Sequence, residues 1–245
     1  TELGVTHVVT IGGDDTAFSS MAVSEYARKM GRTINVVHVP KTIDNDLAIT
    51  DHTPGFGSAA KYIAASTKEV IRDALGFSYK KKNVNIIEIM GRNAGWLVGA
   101  TALARQEDCD GPDLIYLPEV PFDIEAFVER VTGLLEKKDV IVAAVSEGIR
   151  TADGAYVCEL ADGAHSKDAF GHIQMTGTAS YLAGLVHERL GIKTRAVELS
   201  TLQRAAAHLA SRVDVDEAFA VGGATVKAAD EGSSGVMVVI DRVSD

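Results

Sequence analysis

Residues 5–16, VTHVVTIGGDDT, decide how this chain is read. Val5–Ile11 is an apolar, β-branched run of strand length that stops at Gly12-Gly13, and Thr16–Met30 then has helical character. A strand that ends in glycines and gives way to a helix is the first half of a parallel βα unit. Paired glycines let backbone amides approach an anion closely, and a helix N-terminus adds positive potential. The stretch reads equally well as a tight turn in which Asp15 or Thr16 caps the helix. Two acids at an anion-binding turn imply a bridging cation. Mg²⁺ prefers one or two carboxylates plus substrate phosphate oxygens, which makes Asp14 a candidate metal ligand.

The same alternation continues outward. Strands are expected at Ile34–Val39, where Pro40 stops the run, and at Val84–Met90, Asp113–Leu117, Val140–Val145, Arg195–Leu199 and Val236–Ile240. Helices are expected at Ser58–Leu75, Ala94–Arg105, Ile124–Lys137, Gln174–Leu190 and Leu202–Ala229, the last broken near Val213, and Trp96 is expected in the core. Strand–helix alternation predicts an α/β fold in which helices cover both faces of parallel strands, in one sheet or two. Unusual polar residues follow the carboxyl ends of these strands: Asp14 and Asp15, Lys41–Asp46, Gly91-Arg92 and Glu147. Ligands bind at that edge of open α/β sheets.

The 245 residues allow one large or two modest domains, and 46% hydrophobic against 24% charged is the balance of a globular protein with a full core. A net charge of −10 lacks the basic face that non-specific nucleic-acid binding needs, so no nucleic-acid partner is expected. No apolar run is long enough for a bilayer and no signal peptide is evident, so no membrane partner and a cytoplasmic location are expected. Two cysteines with no pairing motif read as reduced thiols. No His/Cys grouping has zinc spacing, and no Gly-x-Ser-x-Gly elbow supports a serine hydrolase. Thr1 runs straight into a strand, and the chain is expected to be the interior of a longer protein.

Pro40-Lys41-Thr42-Ile43-Asp44-Asn45-Asp46 is the most specific stretch, with a cation, a hydroxyl and two carboxylates in seven residues. Phosphoryl transfer needs cationic clamping and a group that accepts the nucleophile's proton. The competing reading is a solvated polar loop with an Asx turn. Met90-Gly91-Arg92 follows a strand, and Arg92 suits a substrate phosphate or a developing charge; a surface arginine after a glycine turn is the alternative. In Ser146-Glu147-Gly148, Glu147 suits sugar hydroxyls or helix capping. Arg195 and Arg204 place cations beside a predicted strand, where plain exposure is the commoner explanation.

Together these stretches resemble the phosphofructokinase family. The matching segments are IGGDDT (11–16), PKTIDND (40–46), IIEIMGRNAGW (86–96), SEGI (146–149), TRAVELSTLQR (194–204) and DEAFAVGGATVKAADEG (216–232), in the family's order across essentially the entire chain. PKTIDND with MGR downstream is highly specific, whereas the glycine–aspartate motif has a relative in NAD and lipid kinases. The resemblance implies phosphorylation of carbon 1 of fructose 6-phosphate. It gives Asp44 the role of proton acceptor, Asp14 and Asp46 that of acids organising Mg²⁺, and Thr42 and Arg92 that of stabilising the transferred phosphoryl. Met90, Gly91, Glu147 and Arg204 resemble sugar-phosphate contacts. Arg195 matches an arginine that reaches a neighbouring subunit's sugar phosphate, which implies a homo-oligomer. The implied architecture is three-layer αβα, with mostly parallel sheets of Rossmann-like topology in two similar lobes. A donor and metal lobe would comprise 1–55 plus 203–245, and a fructose 6-phosphate lobe 56–202.

Gly12, Gly13, Asp15 and Lys41 would face the phosphoryl donor. ATP-using members typically carry glycine where this chain has Asp15, while pyrophosphate-using members resemble it in having Asp there and Lys at position 41. A charged side chain at Asp15 would crowd and repel a nucleotide's α-phosphate, and Lys41 can pair with pyrophosphate instead. Pyrophosphate is therefore the expected donor. The rivals are an ATP-dependent enzyme of the same family, a non-catalytic regulatory subunit, and a NAD kinase. The chain departs from the family's pattern at Asn83 and Thr201, where an arginine and a histidine would stand. The family's N-terminal glycine-rich phosphate loop and the last part of its C-terminal region are also absent from the sequence.

Overall fold

The apolar runs become parallel strands in two separate sheets. A computed structural model describes residues 3–77, 81–160 and 175–243. In chain order the elements are β1 (His7–Gly12), α1 (Asp14–Lys29), β2 (Asn35–Pro40), α2 (Phe56–Gly76), β3 (Asn83–Ile89), α3 (Trp96–Ala100), β4 (Leu114–Tyr116), α4 (Ile124–Leu135), β5 (Val140–Ser146), α5 (Thr178–Leu190), β6 (Lys193–Glu198), α6 (Arg212–Asp230) and β7 (Val236–Met237). The chain divides into a first unit, Thr1–Ala59 with His208–Asp245, and a second unit, Ala60–Ala207. The first contains the parallel sheet β1-β2-β7 and the second the parallel sheet β4-β5-β3-β6.

In the second unit, β3 and β5 are buried along all seven of their residues. Strands covered on both faces have no solvent side, which is why β5 reads as a nearly continuous apolar run, while β3 buries Asn83, Asn85 and Glu88 among its apolar residues. Val84, Ile86, Ile141, Ala143 and Val145 share one core with Phe127 and Val131 of α4 and Leu182 and Val186 of α5. In the first unit, β1 alternates instead, and Ile11 is 65% exposed. Among the described residues no helix is long and apolar enough to cross a membrane.

Four expectations need correction. α1 starts at Asp14, two residues early, because Gly13 takes the cap position with extended backbone; no side chain caps the helix, so neither Asp15 nor Thr16 is its cap. The helix expected over Ala94–Arg105 is only α3 plus a 3-10 turn, Thr101–Ala104, and Trp96 lies 59% exposed because Leu97 and Val98 take the inward positions. The stretch Leu202–Ala229 breaks near Val213 as expected, but the part before the break is not an α-helix: 3-10 turns at Ser200–Arg204 and Ala207–Leu209 precede α6. β7 is shorter than the expected Val236–Ile240 and pairs only with Val37 and His38. The chain beyond it turns toward Thr50 and Asp51, where Ile240 O accepts from the Asp51 amide at 2.9 Å. The start of the helix expected from Gln174 lies outside the described residues.

Candidate active site

Each unit holds one cluster of the residues expected to act. In the first, the last pair of the β1–β2 register is Gly12 with Pro40, and the Lys41 amide donates to Gly12 O at 2.9 Å. That ladder places the two motif loops side by side at the carboxyl edge. A Cβ on Gly12 would collide with the Thr16 side chain, so the turn needs glycine there. The open side of Gly13 faces the second loop, where an added Cβ would stand 3.6 Å from Thr42 Cβ.

The loop after β2 is held from within. The Asp44 amide donates to Thr42 Oγ1 at 3.1 Å. Asn45, between the two acids, takes a left-handed backbone with φ 55°, which asparagine tolerates better than most residues. Thr53, fully buried, fixes both ends: its amide donates to Asn45 Oδ1 at 3.0 Å and its hydroxyl to Thr42 O at 2.7 Å. Asp214, in the first turn of α6, accepts from the Gly55 amide at 2.7 Å, the Ser58 amide at 3.1 Å and the Ser58 hydroxyl. It thereby satisfies amides at the start of α2 and closes the loop.

The charges of Asp14 and Asp15 reach Asp46 in the neighbouring loop. Burial raises the pKa of Asp46, the charge of Asp14 raises it further and Asp15 adds a smaller push, while a backbone bond and the Thr42 hydroxyl pull it down. Asp14, Asp15, Thr42 and Asp46 thus share one locality. Two carboxylates that repel each other beside a glycine turn suit a hard divalent cation that keeps substrate oxygens among its ligands. Among the described residues no group of three His, Cys, Asp or Glu could hold a metal by itself, so a cation here would depend on the substrate's oxygens.

In the second unit a cavity of about 460 Å³ is lined by Met90, Arg92, Glu147 and Arg204, with Glu88, Glu198 and Gln203 also in its wall. The Gly91 amide donates to Glu147 Oε1 at 3.3 Å, and the buried Ser146 hydroxyl donates to Gly91 O at 2.6 Å while accepting from the Gly148 amide at 3.0 Å. These bonds lock the turns after β3 and β5 together. A Cβ on Gly148 would collide with Arg92 O, so the close approach of the two turns requires glycine. Gln203 is buried; its Oε1 accepts from the Met90 amide at 2.9 Å and its nitrogen donates to Ser200 O at 3.2 Å.

Arg195 is not among the residues lining this cavity. It stands opposite Asn85 in the β3–β6 register, its guanidinium bonds Asp73 at 2.8 Å and it lies 5.7 Å from the centre of the Phe77 ring. Sequence reasoning did not single out Thr53, Asp214, Glu88 or Glu198 as functional. The first two look like ordinary loop and helix-start residues, and the acids like polar interruptions of strands.

A family model described as phosphofructokinase matches residues 1–228. The chain is 46% identical over 234 residues to a protein of Halomonas elongata named pyrophosphate–fructose 6-phosphate 1-phosphotransferase, covering 96% of this chain and 55% of that protein. It is 35% identical over 235 residues to a protein of Alkalicoccus urumqiensis named sulfofructose kinase, covering 96% of this chain and 59% of that one. The crystal structure of a pyrophosphate-dependent phosphofructokinase from Marinobacter aquaeolei superposes with a TM-score of 0.82 at 37% identity, covering 99% of this chain and 56% of that one. The chain therefore spans a little over half the length of these relatives.

Proposed function

The chain belongs to the phosphofructokinase family, and from that premise we propose that the protein of which it forms part transfers a phosphoryl group from pyrophosphate to the C1 hydroxyl of fructose 6-phosphate. The observation that carries this reading is the locality shared by Asp14, Asp15, Thr42 and Asp46 at the carboxyl edge of β1 and β2. In the proposed reaction the C1 oxygen attacks one phosphorus of pyrophosphate, the bond to the bridging oxygen breaks, and inorganic phosphate leaves. Asp44 accepts the proton of the attacking hydroxyl. Thr42 and Arg92 donate hydrogen bonds to the transferred phosphoryl. Asp14 and Asp46 would hold Mg²⁺, which supplies positive charge to the pyrophosphate oxygens. Lys41 pairs with the leaving phosphate, and Asp15 disfavours a nucleotide. Pyrophosphate is not much richer in transfer energy than the product, so the reaction runs in both directions.

The first unit is assigned to the donor and the second to the sugar phosphate. There Arg204 and Arg92 bring cations to the cavity, and Met90, Gly91 and Glu147 contact the sugar. Arg195 is assigned to a neighbouring subunit of a homo-oligomer, which would require it to exchange its bond with Asp73.

The test is turnover by the full-length protein with fructose 6-phosphate and either pyrophosphate or ATP. Pyrophosphate is expected to support turnover, and Asp15→Gly with Lys41→Gly is expected to raise activity with ATP. A parent enzyme that already prefers ATP contradicts the donor assignment. Phosphorylation of sulfofructose in preference to fructose 6-phosphate contradicts the sugar assignment.

A further inference from the structure

The wall of the second unit's cavity contains an acid pair that the proposed chemistry does not use. Glu88 on β3 and Glu198 on β6 are direct partners in the parallel register. Side chains at partnered positions leave the same face of a sheet, and here both acids engage the first turn of α5. Glu88 Oε2 accepts from the Ala179 amide at 2.8 Å, and Glu198 Oε1 accepts from the Ser180 hydroxyl at 2.9 Å. Glu88 is only 6% exposed, yet both acids line the cavity that holds Arg92 and Arg204.

We propose that Glu88 is a proton-linked positioning residue: from the cavity wall its carboxyl anchors the first turn of α5, and losing its proton weakens the binding of an anionic sugar in the cavity. This rests on the assignment of the cavity to the sugar phosphate.

The surroundings of Glu88 suit a group that titrates in the working range. Burial pushes its pKa up to about 7, amides at the start of α5 pull it back, and the charge of Glu198 pushes it further. The first two turns of α5, Thr178 to Leu185, carry no charged side chain. From β5, the register partner Val145 brings no charge, and Glu147 follows two residues on. From the 3-10 turn Val157–Leu160 comes the Cys158 thiol, itself pushed up to about 11 by burial and by the charges of Glu159 and Glu88. Among the described residues, Arg92 and Arg204 are the cations of the cavity wall. Ionised Glu88 adds a third carboxylate to those of Glu147 and Glu198 among the described residues of the wall. It therefore opposes the two arginines where an anion must bind.

Substitution Glu88→Gln keeps the shape and an acceptor oxygen for the Ala179 amide but cannot ionise. The experiment measures KM for fructose 6-phosphate from pH 5.5 to 8.5 in the full-length wild type and in E88Q, and takes their ratio, which cancels the substrate's own ionisation. The ratio of wild-type to variant KM is expected to rise by roughly three- to tenfold between the acid and alkaline ends, with no matching change in the kcat ratio. The same comparison in a Glu198→Gln background supplies a second check. Removing the neighbouring charge lowers the pKa of Glu88, so the rise should move to lower pH. A KM ratio that stays constant across the range overturns the proposal.

A readout without turnover separates this inference from the functional assignment. The folded pKa of Glu88 lies above its ordinary value of 4.5. Its contribution to stability is therefore fully present below 4.5 and is lost as pH rises through about 7. The melting midpoint of E88Q is expected to gain on that of the wild type by roughly 5 °C between pH 5 and pH 8. An unchanged gap overturns the proton linkage whatever the substrate is. Failure to phosphorylate fructose 6-phosphate, with the gap changing as expected, overturns the functional assignment alone.

Discussion

Both units place acids at the carboxyl ends of parallel strands, but they relieve the repulsion differently. In the first unit the charges of Asp14 and Asp15 press on Asp46 beside a glycine turn, and under the proposed function a cation accompanying the phosphoryl donor would neutralise them. In the second, Glu88 is enclosed against Glu198 and is relieved by a proton. Enclosure makes the difference: Glu88 is only 6% exposed, whereas Asp46 keeps an exposed side in the loop after β2.

The largest expected effect tests the first cluster. Asp44→Asn in the full-length protein should lower kcat about a thousandfold, the scale of a lost general base, with little change in melting temperature. Near-normal turnover would remove Asp44 from the chemistry. Gly148→Ala probes the second cluster, where the added methyl would run into Arg92 O. It should destabilise the protein by about 3 kcal/mol in denaturant unfolding; a neutral effect would show that the two turns are not locked. Asp214→Ala leaves the Gly55 and Ser58 amides without their acceptor. It should cost about 2 kcal/mol and weaken pyrophosphate binding more than sugar-phosphate binding, as measured by calorimetry.

The smallest effect distinguishes the units by pH. Burial holds the pKa of His38 below its ordinary 6.5, against the pull of its bond to Gly12 O. A depressed histidine contributes stability that is present above 6.5 and is lost on acidification, the opposite sign to Glu88. Wild type compared with His38→Gln in acid unfolding should show the wild type losing its advantage as pH falls below 6.5. An advantage that grows on acidification would reverse the sign.

The first cluster was largely legible in the sequence because its chemistry lies in two continuous stretches, residues 11–16 and 40–46, each after a strand. What was not legible is what holds it. Asp214 joins the loop from far along the chain, and Thr53 looks like any polar loop residue. The second cavity is assembled from segments that follow three different strands, so Met90, Arg92, Glu147 and Arg204 could be named but Glu88 could not. An acid inside an apolar run carries no local sign of the acid beside it on the next strand. Trp96 departs from expectation for a related reason: hydrophobicity favours burial, but the short α3 gives its inward positions to Leu97 and Val98.

The most direct measurement is diffraction from crystals of the full-length protein soaked with manganese pyrophosphate, recorded at the manganese edge. If the acids of the first unit receive the donor's cation, an anomalous peak will bridge Asp14, Asp46 and the pyrophosphate oxygens. A peak elsewhere, with pyrophosphate bound away from these acids, would contradict the assignment.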